Sequence, residues 1–197
     1  MRKNNIILLM GIAGTGKRTI GEEIVAQDNT FRLAHHHDWI DPILKLLGSD
    51  ASVFWSLDEK GWSVLNQARD VILNTIAEVA PQDSNFVITN ELLANNPWHQ
   101  EFFNKVLATA KKRQSNLVPV RLVCELDELI NRVRSPNRKK YYKTQDVALI
   151  QQRFKDDEVF YSSLPTEYTL DVTHLTPKEA AEKILHWLDK QSKEQKS

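Results

Sequence analysis

The chain has 197 residues, 41% of them hydrophobic and 26% charged, which is enough for one folded domain with a buried core. Its 26 basic and 26 acidic residues cancel, and this balance argues against a nucleic-acid partner. A single cysteine, Cys124, excludes an internal disulfide. No apolar run reaches the ~18–20 residues of a transmembrane helix. We therefore expect a cytoplasmic protein without a membrane partner.

The first predicted elements are a strand, a helix and a second strand. Residues 6–10 form a short, continuous apolar run, which predicts a buried β-strand. Ile20, Ile24 and Val25 then fall on one face of a predicted helix. Residues 31–34 are a weaker strand candidate that leads into a polar, histidine-rich segment.

The middle of the chain alternates in the same way. Apolar residues recur at helical spacing over residues 52–80, and Gly61 predicts a break, so we expect two helices or one kinked helix. The β-branched run 86–89 predicts a third strand. Pro97 opens the next helix at its first turn. That helix has an apolar stripe formed by Phe102, Phe103, Val106, Leu107 and Ala110.

The next elements surround a basic segment. Residues 118–124 predict a fourth strand, in which Pro119 is tolerable only at the start. Asp127 can cap a helix that ends in the basic stretch 134–140. Residues 146–160 have a helical pattern again.

The last predicted elements are a strand, a helix and a tail. Residues 168–170 predict a fifth strand, and residues 176–179 form a capping box that starts the final helix. That helix buries Ala180, Ala181, Ile184, Leu185 and Leu188. We expect a single domain over residues 1–190, followed by a frayed polar tail over 191–197.

Strand and helix alternation of this kind predicts an α/β fold: a five-stranded, mostly parallel sheet with helices on both faces. Ligands of such folds bind at the carboxyl ends of the strands. The segments that follow the five predicted strands are therefore the places to look for chemistry.

The segment after the first strand fits the phosphate-loop pattern G-x-x-x-x-G-K, in the strand-turn-helix context that the pattern requires. Glycines let the backbone turn tightly and direct its amides inward, while the lysine reaches the β- and γ-phosphates of a nucleotide. The alternative is a glycine-rich turn with an incidental lysine. The residues predicted to bind nucleotide here are Gly11, Ile12, Ala13, Gly14, Thr15, Gly16, Lys17, Arg18 and Thr19.

The residue after the lysine departs from the pattern. A Ser or Thr there would give its hydroxyl to Mg²⁺, but this chain has Arg18, and Thr19 comes one position too late. An arginine has donors and no acceptor, so it cannot ligate a metal. Either phosphate oxygens, waters and carboxylates elsewhere hold Mg²⁺, or nucleotide binds poorly.

Four features carry a family resemblance: this loop, segment 37–42 after strand two, the helix carrying Arg132 and the basic stretch 134–143. In these features the chain resembles the P-loop small-molecule kinases. These include shikimate, gluconate and nucleotide kinases and chloramphenicol phosphotransferase. The resemblance implies strand order 2-3-1-4-5 in a P-loop NTPase fold. It also implies ATP, with Mg²⁺ in doubt, between the phosphate loop and a LID at about residues 134–145, and a small-molecule acceptor over the segments after strands two and three.

Besides Lys17, two groups of residues are candidates for catalysis. Phosphoryl transfer needs a carboxylate that orients or deprotonates the acceptor hydroxyl, and Asp38 and Asp41 follow strand two, where similar kinases have one. Asp41 could instead cap a helix over residues 42–47, and Asp38 could be a solvated surface residue. Arg134 and Arg138 of the LID would donate to the transferring phosphoryl group; a solvated basic loop and an RNA-contacting patch are the alternatives.

The remaining candidates bind ligands. Arg132 is similar to a residue that faces the nucleotide in these kinases, and His37, Arg69 and Glu91 are candidates for acceptor binding. Arg69 could be a solvated arginine instead. The run of histidines at 35–37 could hold a metal only with ligands from distant segments, so we predict no dedicated metal site.

The sequence thus predicts an ATP-dependent phosphotransferase. Its alternatives are a nucleotide-binding sensor or degenerate kinase without transfer activity, and an ATPase coupled to a protein or RNA partner. The acceptor and the oligomeric state are not defined by the sequence.

Overall fold

The computed structural model describes residues 2–48, 56–136, 138 and 144–194. Neighbouring strands in its sheet pair in parallel, in the order β2-β3-β1-β4-β5. The predicted α/β class and the predicted strand order are both confirmed. The strands are β1 (Asn5–Met10), β2 (Phe31–His35), β3 (Asn85–Asn90), β4 (Asn116–Val123) and β5 (Tyr168–Asp171).

Helices cover both faces of this sheet, which is why β1 is buried along its whole length. Ile7 and Leu9 pack in one core cluster, with side chains of the first and last helices, while Ile6, Leu8 and Met10 pack in the other. The helices are α1 (Lys17–Gln27), α2 (His36–Leu47), α3 (Glu59–Asn74), α4 (Pro97–Arg113), α5 (Leu126–Val133), α6 (Val147–Asp156) and α7 (Pro177–Glu194). A wider π-helical turn over Thr75–Val79 follows α3. Among the described residues, no helix is long and apolar enough to cross a membrane.

The start of α2 corrects one prediction. The helix begins at His36, directly after β2, so Asp41 and Pro42 lie in its interior. The interpretation of Asp41 as the helix cap was therefore wrong. The N-cap residue is His35, whose backbone is extended, and the helix starts at the next residue.

The start of α3 corrects another. Gly61 does not break the helix but lies in its first turn, where its N–H donates to the Asp58 side chain at the N-cap. The first part of the region in which we predicted a preceding helix, residues 52–55, lies outside the described residues.

Pro119 lies in the middle of β4, opposite Leu8 of β1, and not at its start as predicted. It is tolerated because β4 pairs with β5 only from Val120 onward, so no ladder hydrogen bond to β5 is lost at this position. The cap of α5 is Glu125, with Asp127 inside the first turn.

The C-terminal helices also differ from the prediction in their limits. α6 ends at Asp156 instead of residue 160, because Val159 pairs with Leu93 in an isolated antiparallel bridge. The capping box of α7 is confirmed: the Glu179 N–H donates to Thr176 Oγ1 at 3.2 Å. α7 continues to Glu194, into the segment predicted to be a frayed tail, and residues 195–197 lie outside the described chain.

Candidate active site

A cavity of about 800 Å³ lies at the carboxyl ends of the strands. Residues that follow β1, β2, β3 and β4 all contribute to its lining. The segments in which the parallel sheet predicts chemistry therefore meet around one space.

The wall after β1 is the predicted phosphate loop, and its shape depends on glycine. Gly14 and Gly16 have φ angles of 98° and 85°, in the left-handed region that side chains disfavour. Thr15 is fully buried, and its hydroxyl donates to the Ile12 carbonyl at 2.9 Å. A side chain at Gly11 would place its Cβ 2.9 Å from the Leu122 carbonyl oxygen. The loop therefore keeps its backbone tightly folded beneath the cavity.

Lys17 connects this loop to α1. It is the first residue of the helix, and its Nζ donates to the carbonyls of Gly11 at 2.7 Å and Ile12 at 3.0 Å. The N-cap residue of the helix is Gly16, which has no side chain to cap it. An uncapped helix N-terminus with a lysine beside it attracts anionic oxygens.

Positive charge dominates the lining. Two carboxylates, Glu22 and Glu91, oppose six cationic side chains among the described lining residues, a formal excess of four positive charges. Such a cavity suits a ligand with several negative charges. The six cationic residues are Lys17, Arg18, Arg69, Arg132, Arg138 and Arg153.

The three arginines predicted for the nucleotide side differ in whether they line the cavity. Arg132 lines the cavity and donates to Glu128 and to the Val172 carbonyl, both at 2.7 Å. Arg138 also lines it, and burial lowers the pKa of its guanidinium. Arg134 is exposed and does not belong to the lining. Residues 137 and 139–143 of the predicted LID lie outside the described residues.

The two predicted catalytic carboxylates lie on α2, outside the cavity lining. Asp38 Oδ1 is 3.5 Å from Arg18 Nη1, and Asp41 Oδ1 is 2.7 Å from His37 Nδ1. Both aspartates are thus engaged with residues that do line the cavity. The carboxylate that reaches the space after β3 is Glu91, which pairs with Arg153 of α6.

Four histidines, His35, His36, His37 and His99, line the cavity. His35 Nδ1 lies 2.6 Å from Thr89 Oγ1. Burial, reinforced by nearby positive charges, lowers the pKa of His36 well below its usual value, and burial lowers that of His99 to about 4. Both imidazoles are therefore neutral near pH 7. No group of three or more metal-ligating side chains occurs among the described residues.

Arg69 of α3 has an unusual environment. Its guanidinium carbon lies 5.9 Å from the ring centre of Trp62 and 5.8 Å from that of Phe102. Nη1 donates to Asn66 at 2.9 Å, whereas the buried Nε has no hydrogen-bond partner among the described residues. Burial lowers the pKa of Arg69 to about 10. The side chain is thus a partly desolvated cation in the cavity wall, and no carboxylate of the described chain is hydrogen-bonded to it.

Sequence reasoning missed several of these lining residues, among them Glu22, Arg153 and His99. Arg153 stands three positions after the buried Ile150, so its place on the inner face of α6 follows from helical spacing. His99 carries no such signal, because its role depends on the bond from the Leu93 N–H to its Nδ1 at 2.9 Å.

Comparisons with known proteins agree on the fold. No protein-family model matches the chain, and no curated protein matches its sequence. A gluconokinase from Sinorhizobium meliloti 1021 has a TM-score of 0.64 at 15% identity, covering 98% of this chain and 97% of its own. A thymidylate kinase from Candida albicans has a TM-score of 0.61 at 17% identity, covering 96% and 93%.

A shikimate kinase from Acinetobacter baumannii is also similar, with a TM-score of 0.51 and 16% identity over 95% of this chain and 94% of its own. The predicted resemblance to P-loop small-molecule kinases is confirmed in the fold, which this chain shares with them along nearly its whole length.

Proposed function

We propose that this protein is an ATP-dependent phosphotransferase that acts on a small anionic acceptor. One observation carries the proposal: a phosphate loop and six cationic side chains share a single cavity in a kinase-like fold. Phosphoryl transfer depends mainly on positioning and on neutralising charge. The triphosphate would lie on the loop beside Lys17, with Arg132 and Arg138 at its flank.

Arg69 supports an anionic acceptor. The Arg69 guanidinium is partly desolvated, and among the described residues no carboxylate hydrogen-bonds to it, so a bound anion would stabilise its charge. Its nearest acid along the chain, Asp70, bonds to Lys105 at 2.8 Å. The rings of Trp62 and Trp98 also line the cavity and would pack against the body of the acceptor.

Glu91 is our candidate for the group that orients the acceptor hydroxyl. It lines the cavity directly after β3, and Arg153 of α6 pairs with it and holds it in place. We therefore expect Glu91→Gln to reduce turnover more than Asp41→Asn, since Asp41 pairs with His37 outside the lining.

The kinase fold implies Mg²⁺, but the residues present do not fit a protein-held ion. Arg18 stands where the motif has its hydroxyl, and the Thr19 hydroxyl donates instead to the Gly16 carbonyl at 2.9 Å. Glu22 and Glu91, the carboxylates of the described lining, are each paired with an arginine. We assign no step of the reaction to a metal.

The experiment is a measurement of ADP production from ATP across a panel of small acceptors. Thermal shifts with ATP, ADP and GTP first identify the nucleotide, and the panel then pairs carboxylates and phosphate esters with neutral alcohols and sugars. We expect anionic acceptors to stimulate ADP production and Lys17→Ala to abolish that stimulation. ADP production unaffected by every acceptor would contradict phosphotransfer.

That negative result, combined with tight ATP binding, would favour the second candidate, a nucleotide-binding sensor. Arg18 is the observation in its favour, because a nucleotide held without the motif hydroxyl need not be turned over. Tight ATP binding together with acceptor-stimulated ADP production would exclude the sensor.

A further inference from the structure

We propose that Arg18 takes the place of the divalent cation, so that this cavity binds nucleotide phosphates without Mg²⁺. The inference rests on the proposed function, because it concerns the nucleotide side of the same cavity. In this arrangement the Arg18 guanidinium neutralises phosphate charge, and nucleotide binding does not depend on metal.

The location of Arg18 is the first argument. It is the second residue of α1, directly after Lys17, and it lines the cavity. The position is the one from which a P-loop Ser or Thr hydroxyl would ligate Mg²⁺. A guanidinium has only N–H donors and stays charged at any physiological pH, so it attracts phosphate oxygens and repels a second cation.

Anchoring of the side chain is the second argument. Arg18 Nε donates to Glu22 Oε1 at 2.8 Å, one turn further along α1. Arg18 Nη1 lies 3.5 Å from Asp38 Oδ1 on α2. Carboxylates from two helices therefore orient the guanidinium before any ligand binds, which reduces the conformational entropy lost on binding. Asp38 is a positioning residue in this account.

The chemistry of the lining is the third argument. Mg²⁺ is bound through oxygen ligands, usually one or two carboxylates together with phosphates. Glu22 bonds to Arg18, and the other lining carboxylate, Glu91, bonds to Arg153. On the nucleotide side the described lining therefore presents donors to the phosphates, and its carboxylates are used to hold arginines.

The test is calorimetric titration of ATP into the full-length protein, once with excess Mg²⁺ and once with excess EDTA. We expect the two dissociation constants of the wild type to agree within about threefold. Arg18→Ser removes a charge-assisted contact and restores a hydroxyl at the motif position. Its affinity in EDTA should fall about 10-fold to 100-fold, and Mg²⁺ should recover part of the loss.

Three further variants test the charge at residue 18, the positioning of the Arg18 side chain and the nonspecific effect of removing a surface charge. Arg18→Lys keeps the charge, so it should bind ATP in EDTA better than Arg18→Ser does. Asp38→Asn should weaken ATP binding equally with and without Mg²⁺, because it loosens the arginine without creating a metal ligand. Lys183→Ser removes a positive charge from an exposed site on α7 and should leave both dissociation constants unchanged.

Wild-type ATP binding that requires Mg²⁺ would overturn the inference and leave the proposed function intact. Undiminished affinity of both Arg18 variants in EDTA would also overturn it. Absence of ATP binding under both conditions would overturn the proposed function, and this inference with it.

Discussion

The two sides of the cavity are built in different ways. The side proposed to bind nucleotide, called the nucleotide side, consists mainly of the backbone of residues 11–17 and the start of α1. The side proposed to bind the acceptor, called the acceptor side, is formed by side chains from several elements, including His36 of α2, Arg69 of α3, Glu91 after β3 and His99 of α4. Local backbone geometry fixes the first side, whereas the second depends on how the helices pack on the sheet.

Arg18 and Arg132 on the nucleotide side differ from Arg69 on the acceptor side in how their charges are balanced. On the nucleotide side Arg18 and Arg132 are bonded to glutamates. On the acceptor side, Arg69 bonds only to the neutral Asn66 in the contacts described, and burial keeps His36 uncharged. We infer that the acceptor side is held in a destabilised arrangement that a bound anion would relieve.

The largest expected effect concerns transfer itself. Arg138→Ala should reduce acceptor-stimulated turnover about 10²-fold to 10³-fold, the scale for deleting one preorganised donor at a reacting centre. Affinity for ATP should change much less, because the contact strengthens in the transition state. Steady-state ADP production and calorimetry measure the two effects.

Arg134→Ala is the matched comparison for Arg138→Ala. Arg134 is exposed outside the lining, so we expect its loss to reduce turnover by less than about threefold. Equal losses of turnover in the two variants would show that lying in the cavity lining does not determine which arginine contributes to phosphoryl transfer.

A smaller effect is expected at Arg69, whose substitution should change acceptor binding and leave ATP binding unchanged. Arg69→Met keeps an unbranched chain but removes the buried charge, so the acceptor KM should rise about 10-fold to 100-fold with ATP affinity unchanged. The ligand-free variant should melt about 2–4 °C higher, because a desolvated cation has been removed. A lower melting temperature would contradict the account of the acceptor side as destabilised.

Lowering the pH should destabilise the folded protein, because histidines on the acceptor side are neutral in the folded state. The pKa of His99 is about 4 in the folded chain and 6.5 ordinarily, so between these values the unfolded chain binds more protons. Stability is therefore lost as the pH falls from 6.5 toward 4, by roughly 1–2 kcal/mol at pH 5. His36, whose pKa is also lowered, acts in the same direction.

His99→Asn tests the histidine contribution by denaturant unfolding at pH 7.5 and pH 5. The asparagine oxygen can still accept the Leu93 N–H, but it does not titrate. The loss of stability on acidification should shrink in the variant. An unaltered pH dependence would show that His99 is not a source of it.

Much of the fold could be predicted because the relevant information is local. The apolar run at residues 6–10 and the capping box at Thr176 each follow from neighbouring residues, and the structure confirms both. Pro119 was misplaced because its tolerance depends on where β5 starts to pair, about 50 residues later in the chain. Such a register cannot be read from the residues around Pro119.

The candidate site follows the same division. The phosphate loop was predictable as a contiguous motif, since its glycine positions correspond to the two positive φ angles at Gly14 and Gly16. The pairing of Asp38 with Arg18 joins two helices and has no signature in either segment. The same holds for Glu91 and Arg153, which are 62 positions apart.

The most direct test of the central claim is calorimetric titration of ATP into the wild type and Lys17→Ala. If the loop after β1 binds the triphosphate, the variant should lose about 1.5–3 kcal/mol of binding free energy, a 10-fold to 150-fold weaker affinity. Lys183→Ala, at an exposed site on α7, should bind like the wild type. Equal ATP affinity in wild type and Lys17→Ala would contradict the assignment of this cavity to nucleotide phosphates.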